Sequence, residues 1–225
     1  MSTTVPALEH RSELPNQARP RGILFVVSSP SGGGKGTLIS RVLKTVPGLS
    51  YSVSYTTRAP RNREVDGVDY FFVSRERFEE LVAANEFLEW ATVHRNLYGT
   101  SQKWVSREIA SGRDIVLEVD VQGAASVRDL LGDSVSAFIL PPSFAVLRQR
   151  LLARGTDSPE ELEVRLRNAP LELRQYVSFD YVIINDDVDR AAAQLAAIVY
   201  AERARRERQE SEVKRVAETF PSIGT

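Results

Sequence analysis

The residues with the clearest chemical potential form a glycine-rich turn between a predicted strand and a predicted helix. Residues 23–27 are an unbroken apolar run, short enough for a buried parallel strand. Lys35 ends the turn, and apolar residues then recur at helical spacing. Such a turn binds phosphate because its backbone N–H groups point inward, the helix N-terminus adds positive potential, and the lysine reaches the outer phosphates. The predicted loop comprises Ser29, Pro30, Ser31, Gly32, Gly33, Gly34, Lys35, Gly36 and Thr37.

Two positions of this loop depart from the pattern G-x-x-x-x-G-K-[ST]. Ser29 stands where the first glycine is expected, and Gly36 replaces the Ser or Thr whose hydroxyl binds magnesium. Thr37 is rotated by about 100° around the helix axis and cannot simply replace that hydroxyl. We therefore expect magnesium to be held mainly by nucleotide phosphates and water. A glycine-rich turn after a strand can also be a plain connection, but Lys35 in this position favours a nucleotide loop.

Composition excludes several other classes of protein. The 225 residues, 42% of them hydrophobic, predict one compact domain with small insertions. A net charge of −1 gives no support for nucleic-acid binding, and the lack of cysteine excludes disulfides and thiolate zinc sites. His10 and His94 are too few for a histidine metal site. Since no apolar stretch is long enough to span a membrane and no charged-then-apolar leader opens the chain, we expect a cytoplasmic protein without a membrane partner.

The order of the apolar runs predicts an α/β fold with a doubly wound parallel sheet. Strands and helices alternate along most of the chain, which places ligands at the carboxyl ends of the strands. The last helix is alanine-rich from Val188, and beyond Glu202 its apolar stripe fades into mixed charges, which predicts a solvated, fraying end. The predicted strands are centred on Ile23, Ile115, Ala137 and Val182.

Residues 51–103 do not alternate in this way and predict an inserted, mainly β subdomain. Residues 49–55 have the alternation of a strand, and residues 96–100 have the composition of a loop. Asp66 and Gly67 are a strong signal for a β-hairpin turn. The insert is therefore predicted to contain at least one hairpin.

A further helix is predicted after this region. Ser158 and Pro159 begin a capping box, and Pro170 should kink or break the helix that follows. This segment, residues 154–172, is the candidate for a small lid. The remaining predicted divisions are a disordered tail at residues 1–20, a main domain at residues 21–207 and a polar tail at residues 208–225.

Two arginines near the start of the insert form a second candidate phosphate site. Arg58 and Arg61 lie on a loop stiffened by Pro60, and two converging guanidinium groups suit a phosphate monoester. Taken alone, this stretch is equally well explained as a solvated basic loop.

A series of short motifs in fixed order resembles the guanylate kinase family. The series spans residues 22–200, and although each motif alone is weak, the whole series is highly specific. It implies a P-loop kinase fold with a GMP-binding insert and a helical lid, and transfer of the γ-phosphoryl group of ATP to GMP. The motifs are S-P-S-G-x-G-K, T-T-R-x-P-R, D-G-x-D-Y-x-F-V-S, E-F-L-E-W-A, Y-G-T, L-E-V-D-V-Q-G, R-G-T-D-S and I-x-N-D-D.

The resemblance implies that residues of the insert bind GMP. A guanine edge offers two donors and one acceptor, so a carboxylate with a hydroxyl is a fitting complement. Glu89, Thr100 and Ser54 would read the base, while Glu118 and Asp120 would line the site near the base and the phosphates. The GMP phosphate would be held by Ser54, Arg58, Arg61, Tyr70 and Tyr98.

The resemblance also implies the cofactor and the catalytic groups. ATP would bind with Mg²⁺, and Asn185 would lie near the adenine. Arg154 and Arg165 would come from the lid onto the transferring phosphoryl group. The implied catalytic residues are Lys35, Arg58, Arg61, Arg154 and Arg165.

Other interpretations stay open from the sequence. One is a domain of the same form that binds proteins and has lost catalysis, although such domains typically lack a working ATP loop. Another is a kinase of the same fold with a different phosphorylated acceptor, since Glu89 and Thr100 favour guanine without proving it. Single positions have plainer explanations too: Tyr70 and Tyr98 as edges of the core, and Asp120 as a cap at the end of a strand. Asn185 could equally serve a turn.

Overall fold

The computed structural model describes residues 21–61, 64–93, 95–155 and 158–221 of the chain. The predicted disordered tail at residues 1–20 and the position of His94 lie outside the described residues. The side chain of Arg154 is likewise not among those described.

The strands form two sheets. The first is parallel throughout, with strand order β2-β7-β1-β8-β9. The second has the order β4-β3-β6-β5, in which β3 is parallel to β4 and β6 is antiparallel to both of its neighbours. The strands are β1 (Leu24–Ser28), β2 (Leu49–Tyr51), β3 (Tyr55–Thr56), β4 (Phe71–Phe72), β5 (Phe87–Val93), β6 (Asn96–Ser101), β7 (Asp114–Glu118), β8 (Val135–Leu140) and β9 (Tyr181–Ile184).

Helices cover both faces of the parallel sheet. None of the helices in the described ranges combines the length and apolar character needed to cross a membrane. The helices are α1 (Lys35–Thr45), α2 (Arg75–Ala83), α3 (Gln102–Ala110), α4 (Val121–Leu130), α5 (Phe144–Arg154), α6 (Pro159–Leu173), α7 (Val188–Arg203) and α8 (Arg206–Ala217), with a 3₁₀ helix at Arg174–Ser178.

The central strand β1 explains why the parallel sheet has an apolar core on each of its faces. Phe25 and Val27 pack with α1 and α7 on one face of the sheet. Leu24 and Val26 pack with α3 and α4 on the other face. A parallel strand buried on both faces reads as a continuous apolar run, which is why this strand was visible in the sequence. The predicted doubly wound α/β class is confirmed.

The insert departs from the sequence prediction at its entrance. Residues 49–55 are not one strand, because β2 ends at Tyr51 in the first sheet and β3 begins at Tyr55 in the second. The Ser52 N–H still donates to the Val116 carbonyl at 2.9 Å before the chain crosses between the sheets. The strand-like alternation of residues continues across this crossing. The sequence pattern therefore does not show where the chain leaves the first sheet and enters the second.

Two further predictions for the insert are wrong. Residues 96–100 are not a loop but belong to β6, which pairs with β5 so that Val93 lies opposite Asn96. Arg95, just before β6, adopts a φ of 67°. The turn at Gly67 does not join a hairpin either, because residues 64 and 65 belong to no strand that could pair with β4. The carboxylate of Asp66 accepts from the Phe72 N–H at 2.8 Å, so this side chain closes the turn locally.

The segment after α5 confirms the capping box and corrects the prediction at Pro170. Ser158 and Glu161 exchange the reciprocal side-chain bonds of a capping box. Helix α6 continues through Pro170 to Leu173 and is not broken there. The neighbouring Ala169 is buried against α5, so tertiary packing supports the turn that contains the proline.

The end of the chain also differs from the prediction. Beyond Glu202 the chain does not fray but ends α7 at Arg203 and begins α8, which crosses the boundary predicted at residue 207. Glu202 is buried, where it accepts from the Tyr181 hydroxyl at 2.5 Å and pairs with Arg205. This buried carboxylate fixes the corner between the two helices. Helix α8 itself has no buried residue.

Two adjacent leucines on α5 provide a matched test of the packing. Leu151 is 1% exposed, whereas Leu152 is 50% exposed. Leu151→Ala should lower the free energy of unfolding by about 2–5 kcal/mol, because it removes buried methyl groups and leaves a cavity. Leu152→Ala should change it by less than about 0.5 kcal/mol. Urea unfolding followed by circular dichroism measures both, and equal losses would contradict the assignment of Leu151 to the core.

Candidate functional site

The glycine-rich loop connects the buried strand β1 to the N-terminus of α1. Gly34, the residue before the helix, has a φ of 90°, and a Cβ placed there would lie 2.4 Å from Asn185 Nδ2. Glycine is therefore required both by the backbone conformation and by space. No side chain caps the helix, and its first turn contains no acidic residue. The N-terminal N–H groups and the helix dipole are thus available to an anion.

Two side chains hold this loop from behind. Asn185, which is 2% exposed, donates from Nδ2 to the Gly33 carbonyl at 2.9 Å. Arg150 donates to the Asn185 carbonyl at 2.8 Å and to the Gly33 carbonyl at 3.4 Å. Sequence reasoning singled out Asn185 but missed Arg150, since only the tertiary contact distinguishes it from other helix arginines. Here Asn185 supports the phosphate loop; the adenine contact stays a prediction.

Helix α6 contacts the same loop from its open side. Arg165 donates from Nη1 to Ser31 Oγ at 2.7 Å. Glu172, on the same helix, accepts from the Ser31 N–H at 3.1 Å. Two side chains of α6 therefore bind Ser31, one at its hydroxyl and the other at its backbone N–H. Glu172 was missed because its partner lies 141 positions away in the sequence. The backbone of Arg154 ends the preceding helix.

The end of β7 brings a carboxylate to the lysine of the loop. Lys35 Nζ lies 3.7 Å from Glu118 Oε1. The Tyr51 hydroxyl donates to Glu118 Oε2 at 3.4 Å, and burial together with this carboxylate raises the pKa of the tyrosine well above its ordinary value. A Cβ at Gly36 would lie 3.5 Å from the same Oε2 atom. Tyr51 was not predicted, because nothing local in the sequence relates it to Glu118.

The described residues contain no separate protein metal cage. Within residues 21–61, 64–93, 95–155 and 158–221, no three His, Cys, Asp or Glu side chains are grouped so that they could hold a metal ion. Glu118 is instead a single carboxylate beside the position where a hydroxyl is missing at Gly36. An ion at this position could therefore be bound mainly through a ligand's phosphates and water, with one carboxylate nearby.

A buried carboxylate, that of Glu89, lies on strand β5 of the second sheet. Glu89 is 7% exposed and accepts from the Thr100 hydroxyl at 2.6 Å across the β5–β6 ladder. The hydroxyl oxygens of Ser54 and Thr100 are 3.5 Å apart. Burial raises the pKa of Glu89 to about 7, the Thr100 hydrogen bond lowers it, and the charge of Asp120 raises it. The group can therefore exchange a proton near neutral pH.

A cationic site lies on the same insert. Arg58 donates to both carboxylate oxygens of Glu64 at 2.9 and 2.8 Å, and its guanidinium carbon lies 5.3 Å from the centre of the Tyr70 ring. These hydrogen bonds raise the pKa of Arg58 and lower that of Glu64. The backbone N–H of Arg61, an exposed residue, also donates to Glu64 at 2.7 Å. Glu64 thus organises the arginine loop, a role that sequence reasoning missed.

Aromatic rings surround this cation. The rings of Tyr70 and Tyr98 meet edge to face with centroids 5.9 Å apart. Phe72 lies 5.8 Å from the Arg58 guanidinium carbon. Burial raises the pKa of Tyr70 to about 12, so its hydroxyl stays protonated at physiological pH. The site offers a fixed cation next to neutral hydroxyl donors, which suits a phosphate group.

The end of β7 and the start of α4 connect the insert to the phosphate loop. Glu118 faces Lys35 in the loop, and Asp120 lies close enough to affect the titration of Glu89. Asp120 also caps α4 by accepting from the Gly123 N–H at 2.8 Å. These contacts link the Lys35 loop and the buried Glu89 through one segment of the chain. Together with the Arg58 loop, such groups could support transfer of a phosphoryl group between two phosphorylated ligands, because that reaction depends on positioning and charge neutralisation.

The amino-acid sequence matches the family model described as guanylate kinase over residues 21–202. It is 50% identical over 192 residues to a guanylate kinase of Symbiobacterium thermophilum, covering 85% of this chain and 90% of that protein. A guanylate kinase of Neisseria meningitidis serogroup A is 53% identical over 189 residues, covering 84% and 92%. The solved structure of guanylate kinase from Anaplasma phagocytophilum superposes with a TM-score of 0.71 at 33% identity, covering 86% of this chain and 96% of that one.

Titration of Glu89 gives a test that needs no ligand. Its pKa of about 7 in the folded chain, against an ordinary 4.5, means that the folded state holds this proton more tightly than the unfolded state. The resulting stabilisation is complete below the unfolded pKa and is lost as the pH rises through the folded pKa, by about 3 kcal/mol in total. From pH 4 to pH 8 the wild type should lose this free energy of unfolding relative to Glu89→Gln.

The control is Glu86→Gln, an exposed position close by. Urea unfolding of the three proteins across this pH range measures the difference. The exposed variant should follow the wild type at every pH. A pH-independent gap between the wild type and Glu89→Gln would contradict a buried, titrating carboxylate.

Proposed function

The chain belongs to the guanylate kinase family, and we propose on that premise that it transfers the γ-phosphoryl group of ATP to GMP, giving ADP and GDP. It is an ATP:GMP phosphotransferase of purine nucleotide metabolism, and we propose that it acts in the cytoplasm. The observation that carries the assignment of GMP is the buried Glu89 carboxylate with its Thr100 partner, together with the uncapped phosphate loop before α1.

ATP binds with its phosphates on the loop and the first turn of α1. The unpaired N–H groups there and the Lys35 ammonium complement the phosphate charge. Mg²⁺ neutralises part of that charge when bound. Few residues could hold it: Gly36 offers no hydroxyl, and the Glu118 carboxylate would accept hydrogen bonds from water around the ion. The Tyr51 hydroxyl keeps this carboxylate in position.

GMP binds on the insert with its base against Glu89. An ionised carboxylate accepts hydrogen bonds from the guanine ring N–H and the exocyclic amine, two donors that adenine does not offer in that arrangement. The hydroxyls of Thr100 and Ser54 complete the polar edge. The GMP phosphate lies on the cation formed by Arg58 and Arg61, with Tyr70 and Tyr98 as further donors.

Transfer needs little covalent chemistry from the protein. An oxygen of the GMP phosphate attacks the γ-phosphorus, and the bond to the β–γ bridging oxygen breaks to release ADP. The second pKa of a phosphate monoester is about 6, so the attacking group is largely ionised near neutral pH and needs no strong general base. Arg165, with Arg154 from the end of α5, neutralises the charge that develops on the transferring group. Helix α6 excludes water from the loop as it closes.

The same contacts weigh against a protein-binding domain without catalysis. Such a domain has no need for a lysine at the helix start, an uncapped N-terminus and an arginine on Ser31, all of which are present here. A kinase for another phosphorylated acceptor would not require a buried carboxylate paired with a hydroxyl.

The acceptor is tested by ATP consumption with GMP, AMP, UMP and ribose 5-phosphate. GMP should be strongly preferred, because a site with buried polar groups rejects a mismatched ligand by roughly 10⁴-fold. Glu89→Gln should lower kcat/KM for GMP and shrink the ratio of GMP to AMP, since an amide cannot accept both guanine donors. Equal use of another acceptor by the wild type would overturn the proposal.

Two control variants accompany this measurement. Glu86→Gln, at the exposed position, should keep the wild-type ratio. Lys35→Met should be inactive while retaining GMP affinity, because it removes only the phosphate-loop cation. Normal turnover by well-folded Lys35→Met would show that ATP does not use this loop.

Two arginines of α6 separate catalysis from surface charge. Arg165 contacts Ser31 in the phosphate loop, whereas Arg167 pairs with Glu163 on the surface. Arg165→Ala should lower kcat by about 10³-fold with GMP affinity nearly unchanged, as expected for a cation that acts on the transition state. Arg167→Ala should change kcat little, since exposed ion pairs contribute at most about 1 kcal/mol.

Steady-state kinetics of both variants, with GMP affinity by calorimetry, measure this difference. Arg58→Ala serves as the opposite case, in which loss of GMP affinity should come first. A normal kcat in Arg165→Ala would show that Arg165 has only a structural role.

A further inference from the structure

We propose that Gly123 determines the position of the Glu89 carboxylate and thereby the selectivity of the enzyme for guanine. This inference rests on the proposed function, in which Glu89 reads the base. Gly123 does not contact the base itself in this proposal and is a positioning residue.

The space at Gly123 is the first observation. Gly123 is a buried residue in the first turn of α4. A Cβ built there would lie 2.8 Å from Glu89 Oε2, 3.1 Å from Val119 Cβ and 3.4 Å from Asp120 Oδ1. The shortest of these distances is below any normal carbon–oxygen contact, and the other two neighbours, Val119 and Asp120, directly precede α4. A side chain at this position must therefore displace a neighbour.

Backbone conformation does not explain the glycine. Gly123 is absent from the glycines of the described chain that have a positive φ, so any residue could adopt its conformation. Alanine is the better helix former, and glycine within a helix is unfavourable by comparison. What glycine provides at this position is room for the carboxylate of the facing strand.

Glu89 has little freedom to move away. Its Oε1 atom accepts from Thr100 at 2.6 Å, and the side chain is almost fully buried. Its strand β5 is paired with β6 at this level, where Glu89 lies opposite Thr100. Asp120, which is fixed by its cap on α4, adds a negative charge beside it. A methyl group at position 123 would therefore turn or shift Oε2 while Oε1 stays held.

Recognition of guanine depends on both carboxylate oxygens. Each must lie within hydrogen-bond distance of one of two adjacent donors on a rigid ring. Displacing Oε2 alone breaks one of these bonds and leaves the other. Hydrogen bonds to charged groups of this kind correspond to about 10- to 100-fold in affinity. The ATP loop does not share this contact.

The experiment compares Gly123→Ala with Gly132→Ala. Gly132 follows the same helix, and a Cβ there would meet no atom within 4 Å. Gly123→Ala should raise KM for GMP about 10- to 100-fold and shrink the ratio of GMP to AMP, with KM for ATP unchanged. Gly132→Ala should match the wild type in all three. A normal ratio in folded Gly123→Ala would overturn the inference, because a merely structural glycine affects stability and not selectivity.

A shortened carboxylate provides the second variant. Glu89→Asp removes one methylene, so in the double variant the methyl group at position 123 no longer meets the carboxylate. The effects of Gly123→Ala and Glu89→Asp on GMP efficiency should then be less than additive. Full additivity would overturn the steric coupling. If Gly123→Ala alone does not fold, recovery of folding in the double variant supports the proposal, and continued failure to fold overturns it.

Failure of this inference is distinguishable from failure of the proposed function. If Glu89→Gln leaves the ratio of GMP to AMP unchanged, Glu89 does not read the base and the underlying assignment is wrong. If Glu89→Gln lowers the ratio and Gly123→Ala does not, only the role of Gly123 is wrong.

Discussion

The hydrogen bond from the Asn185 amide to the Gly33 carbonyl is the contact on which the site depends. It joins the end of β9 to the loop after β1 and is buried. The net contribution of such a bond is only about 0.5–1.5 kcal/mol, and the same carbonyl also accepts a longer bond from Arg150 at 3.4 Å. Because Asn185 occupies the space beside Gly34, it also excludes a side chain there. Asn185 therefore both binds the loop backbone and requires a glycine at position 34.

The two proposed phosphate sites are organised by charge as well as by shape. Lys35 pairs with Glu118, and Arg58 pairs with Glu64. Each ion pair holds its cation in place. A ligand phosphate then competes with, or adds to, an existing ion pair, so that little side-chain entropy is lost on binding.

The proposed base site lowers the stability of the fold. A carboxylate buried in the second sheet is unfavourable when ionised, which is why the pKa of Glu89 rises to about 7. The single hydroxyl of Thr100 only partly offsets this cost. Natural proteins commonly depart from the best local choice at functional sites. The glycine at position 123, where a Cβ would lie 2.8 Å from Glu89 Oε2, belongs to the same compromise.

The sequence by itself determined the features that depend on neighbouring residues. Some features are encoded within a few neighbouring positions, because the spacing of apolar residues and the caps of helices are local properties. These features are the buried strand β1, the loop ending in Lys35, and the capping box at Ser158. The order of motifs was sufficient to indicate the family and the α/β class. Candidate residues such as Glu89 were found in this way.

Only the tertiary structure decided the contacts between distant segments. The exchange of sheets between β2 and β3 and the pairing of β6 with β5 were misjudged, because a strand's partner is not encoded in its own pattern. The support of Gly33 by Arg150 and the engagement of Ser31 by Glu172 were invisible for the same reason. Each contact joins residues more than 100 positions apart in the sequence. Contacts between such distant segments are determined by the packing of the whole chain.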